Sequence, residues 1–437
     1  MRFFRLPLLL IGLTASLPAL AVDLLQAYRD ALTHDATYAS ARAQLAAGRE
    51  ASVQGRANLL PLIGLSGNNQ RVRRENASDY NLRGYTLSLT QPLVDVAAWQ
   101  TYEQSKLQVA ATEAVFAFAG QDLILRVSQA YFDVLAAQDT LASLHAQKAA
   151  IEEQLASAKR NFDVGTATIT DTHEAQARYD LIVAQELAAE ADLNIKREAL
   201  AQLTGKPTLP LSILRKDAQL QNPQPAQMAP WVSTAEQQNT DVINRQLALE
   251  IAQRQITRNR AGHYPTVDLV ASRSDTTQRT NVLSQTGAGQ TNSVGVQWQI
   301  PLYSGFAVTS RVREAIALED KARADLEAAR RVAAQAARQA FYGVTSGLAQ
   351  VKALEAAEVS SRSALESNRL GYRVGVRINI DVLNAQQQLY ATQRDLAKAR
   401  YDTLINSLRL KSAAGTLQED DLIRINTLLT PPATPSS

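Results

Sequence analysis

The chain has no cysteine, so disulfides, zinc-thiolate centres and a lipid-modified N-terminal cysteine are all excluded. Aromatic residues make up only 5% of its 437 residues, which suits long packed helices rich in alanine better than one large globular core. No apolar run reaches the roughly 20 residues that a membrane-spanning helix needs. An excess of one charge is missing too: 45 Lys and Arg stand against 42 Asp and Glu, a balance that gives no argument for a nucleic-acid partner. Catalytic patterns are equally scarce. His34, His145, His173 and His263 are scattered, Gly287 and Gly289 sit in a polar loop, and no serine elbow occurs, so no enzyme, cofactor or metal is expected.

What is present begins with Arg2 and Arg5, an apolar run from Leu6 to Leu17 and the small-x-small triplet Ala19-Leu20-Ala21. That layout predicts a secretory signal over residues 1–21 and a mature chain from Val22. Beyond it the chain repeats itself. An offset of 210 residues places Gly165 on Gly375, Val164 on Val374, Asp171 on Asp381 and Gln176 on Gln386, and it also places Gly205 on Gly415. The expected organisation is a first repeat over 22–205, a Pro-rich linker over 206–230, a second repeat over 231–415, and a C-terminal segment over 416–437 with a disordered tail.

Helical periodicity predicts helices over Asp23–Gly55, Val96–Asp163, Asp171–Leu203, Thr234–Ala261 and Val308–Leu370, followed by a return helix. The return helix carries Val382, Leu389 and Leu396 at steps of seven, a coiled-coil seam. A long run into Val-Gly and a long run out of it reads as a helical hairpin, and there are two. Between helices the period changes. Tyr85, Leu87 and Leu89 alternate with polar neighbours, as do Val267, Leu269 and Ala271, and Val294, Val296, Trp298 and Ile300. A weaker strand spans about Leu62 to Arg71, and Arg73–Asn81 and Thr276–Asn292 read as exposed loops.

Strands of about nine to eleven residues with one apolar face suit a tilted crossing of a bilayer. Four of them cannot close a barrel, and an open edge in lipid leaves backbone groups unpaired. Either an α+β membrane protein assembles with copies of itself, two giving eight strands and three giving twelve, or the strands are not in a membrane; periodicity alone does not choose.

Three stretches, Asn161–Asp171, Gly371–Ala385 and Ala399–Leu422, resemble the TolC-like outer-membrane ducts of Gram-negative export systems, and the resemblance runs from about Asp23 to Leu428. It implies a homotrimer: a 12-stranded transmembrane β-barrel, four strands per protomer, continuous with a long periplasmic α-helical coiled-coil barrel. It implies a gate network of Thr170, Asp171, Tyr372 and Arg377, with Tyr372 bonded to Asp171 in one protomer and Arg377 reaching Thr170 and Asp171 of a neighbour. A constriction ring would lie at Asp381 and Asn384, where such ducts carry two acids. Asn384 departs from that pattern, which leaves Asp381 as the position for cation block. Val164-Gly165-Thr166 and Val374-Gly375-Val376 match tips that meet a periplasmic membrane-fusion adaptor. The other implied partners are an inner-membrane ABC or proton-driven transporter and outer-membrane lipid. The alternative is a soluble periplasmic coiled-coil adaptor or scaffold.

Overall fold

The computed structural model describes residues 21–75, 77–166, 168–207, 210–215, 217–280 and 286–431. The first 20 residues of the expected signal and the tail from 432 lie outside them. Helices α1 (Leu24–His34) and α2 (Ala36–Ala57) lead into the hairpin β1 (Leu62–Arg74) and β2 (Ala77–Val94), then α3 (Val96–Asp163) and α4 (Ile169–Thr204). A short strand β3 (Ile213–Leu214) follows. The second half repeats the order with α5 (Met228–Gln238), α6 (Thr240–Arg260), β4 (Thr266–Thr280), β5 (Thr286–Gln299), α7 (Ala307–Arg373) and α8 (Asn379–Ala413), and it closes on α9 (Glu419–Asn426) and β6 (Leu429–Thr430).

Helices α3 and α7 have 68 and 67 residues, about 100 Å each at 1.5 Å per residue. A helix that long finds no single core, so its apolar stripe is covered along its length by partner helices. On α3, Val127, Tyr131, Val134, Leu144, Ile151 and Leu155 are buried, and on α8 the seven-residue series Val382, Leu389 and Leu396 is buried as well. Halfway along, Phe132 stacks on Tyr401 with ring centroids 5.6 Å apart, at the centre of a cluster that also takes in Leu24, Leu135, Leu408 and Leu422. Each such side chain contributes about 1.5–3 kcal/mol by burial. The Tyr131 hydroxyl donates to the Ser212 carbonyl at 2.8 Å, and the Val22 carbonyl lies 3.1 Å from the same oxygen. Antiparallel pairing of β3 with β6 joins the linker to the C-terminal segment, so both form one layer around the middle of the helices.

Three expectations are corrected. The helix expected over Asp23–Gly55 divides at Asp35, whose carboxylate accepts the Tyr38 amide at 2.7 Å and so caps α2. The helix expected over Thr234–Ala261 divides at Asn239, which caps α6, while α5 starts at Met228, inside the expected linker. The expected loops Arg73–Asn81 and Thr276–Asn292 are largely strand: Arg71 pairs with Asn81, Val72 with Tyr80, Thr276 with Gly289 and Asn292 with Arg273. All four strands therefore exceed eleven residues, at 13, 18, 15 and 14. Alternation marks only the stretch where one face is apolar. Past it that face turns polar while Val72, Tyr80 and Leu82 fall on the other, and the ladder continues without the expected hydropathy signal.

The four strands form one antiparallel sheet in the order β1-β2-β4-β5. Within the chain, β1 and β5 each leave one edge unpaired. Paired residues share a face. One face has the rows Ile63–Leu89–Ala271–Val294 and Leu65–Leu87, with Leu269–Val296 and Val267–Trp298 nearer the helices. Leu65 is 74% and Val294 79% exposed. The other face has Gly64–Ser88–Ser272 and Ser66–Thr86–Ser274, with hydroxyls bonded across strands at 2.8 Å for Ser272–Ser293 and 3.1 Å for Thr86–Ser274.

Candidate functional site

At the end of the molecule farthest from the sheet, α3 and α7 each stop in a turn whose φ is left-handed, 76° at Gly165 and 79° at Gly375. A side chain there would be strained, so glycine permits the reversal. Beside the glycines, Val164, Val374 and Val376 are 71%, 65% and 76% exposed, apolar side chains left uncovered by the described residues. Thr166 folds back instead: its hydroxyl donates to the Asn161 carbonyl at 3.1 Å.

The expected gate residues occupy this end, with a different set of bonds. The Tyr372 hydroxyl accepts from Asn161 Nδ2 at 3.1 Å. Asp171 serves its own helix, accepting the Thr168 amide at 3.0 Å and its hydroxyl at 2.9 Å, so Tyr372 and Asp171 are not bonded to one another in the protomer. Thr170 is exposed. Arg377 is exposed too, and its guanidinium lies 3.7 Å from Asp381 of the same chain. The two hairpin ends are joined by Asn379, buried, which bonds Gln154 and donates to the Asp171 carbonyl at 3.4 Å.

One turn beyond Asp381, Asn384 is held by Arg178, whose Nη2 donates to Asn384 Oδ1 at 2.9 Å while Nη1 bonds Gln387. Sequence reasoning missed Asn161, Arg178 and Asn379. Arg178 lies seven residues after Asp171 and therefore on the same helix face, a spacing that was legible. Partners across hairpins leave no such local signal.

Elsewhere, His145, Glu186 and Glu190 bring ligand atoms within 4.8 Å of one another. Glu186 already accepts the Lys148 ammonium at 2.5 Å, which neutralises the charge a cation would need.

A lipid-length apolar sheet face, a hydroxyl-lined opposite face, two free edges and helices of about 100 Å together define one protomer of an oligomeric membrane duct. No helix among the described residues is long and apolar enough to cross a membrane. The family described as "Outer membrane efflux protein" matches residues 27–206 and 231–416. Outer membrane protein TolC of Escherichia coli is 33% identical over 425 residues, covering 94% of this chain and 86% of its own. Alkaline protease secretion protein AprF of Pseudomonas aeruginosa is 33% identical over 418 residues, covering 92% and 86%. The Campylobacter jejuni CmeC outer membrane channel superposes with a TM-score of 0.79 at 18% identity, covering 92% of this chain and 89% of that one. The chain belongs to the outer membrane efflux protein family, its fold is that of a trimeric TolC-like duct, and it acts as an exit duct in the outer membrane with its helical tunnel in the periplasm.

Proposed function

We propose that this duct carries proteins, small toxic molecules or both from the periplasmic side to the exterior, served by a periplasmic membrane-fusion adaptor and an inner-membrane ABC or proton-driven transporter. The carrying observation is the continuity of the four-stranded sheet with two helical hairpins whose ends are apolar and exposed. Three copies give twelve strands, pair every free edge and put the hydroxyl-rich face around water. The two repeats, 22–205 and 231–415, each give one strand pair and one hairpin, with 206–230 and 416–437 bracing the middle. Such a duct needs neither cofactor nor catalysis.

The adaptor meets Val164, Gly165, Thr166, Val374, Gly375 and Val376, where buried valine side chains would supply the binding energy. The gate is the network of Thr170, Asp171, Tyr372 and Arg377, with Arg377 reaching a neighbouring protomer. Such bonds are modest singly, and threefold repetition lets them hold a two-state tip closed until the adaptor favours the open form. The AprF relative supports proteins as cargo. Asp381 is the cation-blocking position of the constriction.

Single-channel current in planar bilayers tests this reading, comparing the unaltered protein with a Tyr372→Phe, Arg377→Ser double variant. A small conductance that rises in the variant is expected. Equal currents would place the gate elsewhere, and no channel from folded protein would end the duct reading.

A further inference from the structure

The apolar sheet face changes character toward the hairpin turns. Above the Leu65–Leu87 row it carries Arg71, Arg73, Arg83 and Arg279, with Arg273 in that row itself, all exposed. The same face carries two acids, Asp79 and Asp275. Up to the Val72–Tyr80 pair, the alternating residues of the opposite face, Asn68, Gln70, Val72, Leu82, Gly84, Thr276 and Gln278, are uncharged. An ordinary solvated rim would distribute its charge over both faces. Up to the Val72–Tyr80 pair it lies on the one that continues the lipid-facing band.

Four of these arginines also have few partners among the described residues, whereas Arg273 can donate to the Gln290 amide oxygen. Arg73 and Arg279 make no hydrogen bond or ion pair among the described residues. Arg83 donates to the neutral Asn69 at 3.2 Å, and Arg71 stands 3.9 Å from Asp79, at the limit of an ion pair. Topology fixes their height. The strands enter α3 and α7 at their other ends, so with the helices in the periplasm the arginines lie at the outer leaflet. From Val94 up to Tyr85 the strand climbs about 30 Å, or about 23 Å once tilted by about 40°, close to the height of a barrel's apolar band. Arg83 and those above it thus fall in the headgroup layer.

We propose that this arginine belt binds the phosphate groups of anionic lipid headgroups in the outer leaflet. The guanidinium fork matches a phosphate bidentately, and the apolar rows just below hold the acyl chains of the same molecule. Three protomers repeat the belt around the barrel, so the bound lipid forms a ring that seals the protein to its leaflet. The inference rests on the outer-membrane placement and is independent of cargo and gate.

The test uses the purified, full-length channel in detergent, given diphosphorylated lipid A, the same lipid with its phosphates removed, or phosphatidylcholine, with retained lipid counted by native mass spectrometry. The expected result is retention of the phosphorylated lipid at least about tenfold above the other two, lost in an Arg73→Gln, Arg83→Gln, Arg279→Gln variant that still conducts in planar bilayers. Equal retention with and without phosphates would overturn the proposal, and so would full retention by the variant. Displacement by millimolar inorganic phosphate would also overturn it, because a lipid held by chains as well as phosphates resists the free ion. Should the variant not fold, the comparison of lipids on the unaltered protein decides alone. A channel that fails to conduct yet retains phosphorylated lipid selectively would count against the duct and leave the belt standing.

Discussion

Arg178 of α4 donates to Asn384 of α8 at 2.9 Å, so the neutral position of the expected constriction ring is held by a cation from the neighbouring hairpin. An acid placed there would meet that guanidinium first. Asn384→Asp is therefore expected to raise multivalent-cation block only slightly, and Asn384→Asp with Arg178→Gln to raise it about tenfold. Voltage-clamp titration with a trivalent cation checks the pair. Equal block in single and double variants would show that Arg178 does not screen the ring.

Asp35 combines two roles, capping α2 and receiving Arg126 through both oxygens, at 2.8 and 3.1 Å. The Arg126 guanidinium holds the Asp35 carboxyl below the usual carboxylate range. A lowered value means that the folded protein binds fewer protons than the unfolded chain, so this stability is present above about pH 4 and is lost as pH falls through the lowered value. Arg126→Ala strands a buried carboxylate and is expected to cost about 2–3 kcal/mol, less than a fully buried pair because Arg126 is partly exposed. Thermal unfolding followed by circular dichroism at pH 7 reads it.

Asp139 behaves in the opposite sense. It lies in the interface of α3 and α8, accepts the Tyr401 hydroxyl at 2.6 Å, and burial pushes its carboxyl up although that hydrogen bond opposes the shift. Folding here favours the protonated form, so the contribution is greatest at acid pH and declines as pH rises from about 4 through the raised value. Asp139→Asn keeps an acceptor for Tyr401 without the charge. It is expected to raise the melting temperature at pH 7.5, by about 2–4 °C, and to change it little at pH 4.5. A uniform drop at both values would mean that the carboxylate is needed for packing.

Two glycines with nearly equal φ separate strain from collision. At Gly165 nothing among the described residues lies within 4 Å of an added Cβ, whereas at Gly415 it would strike the Gln238 carbonyl. Gly165→Ala is expected to cost about 1 kcal/mol, and Gly415→Ala several-fold more, because α5 would have to move. Melting temperatures of the two variants check the ranking.

The sequence by itself determined the long helices, the reversals at Gly165 and Gly375, the twofold repeat and the apolar stretches of the strands. Each of these rests on period or on one residue's backbone freedom, and both are local. α3 runs from Val96 to Asp163, the bounds that periodicity predicts, and its cap Asp95 lies next to it in the chain. The tertiary structure alone decided the break at Asp35, whose carboxylate finds Arg126 on another helix, and the strand pairing beyond Leu82, where the apolar face of the sheet gives out. It decided the tip as well. Tyr372 and Asn161 meet because two hairpins of equal length lie side by side, and Asp171, the partner the resemblance implied, is claimed by the cap of its own helix. A local pattern carries no record of which distant group arrives first at a shared hydrogen bond. Packing of the 68- and 67-residue helices sets that register.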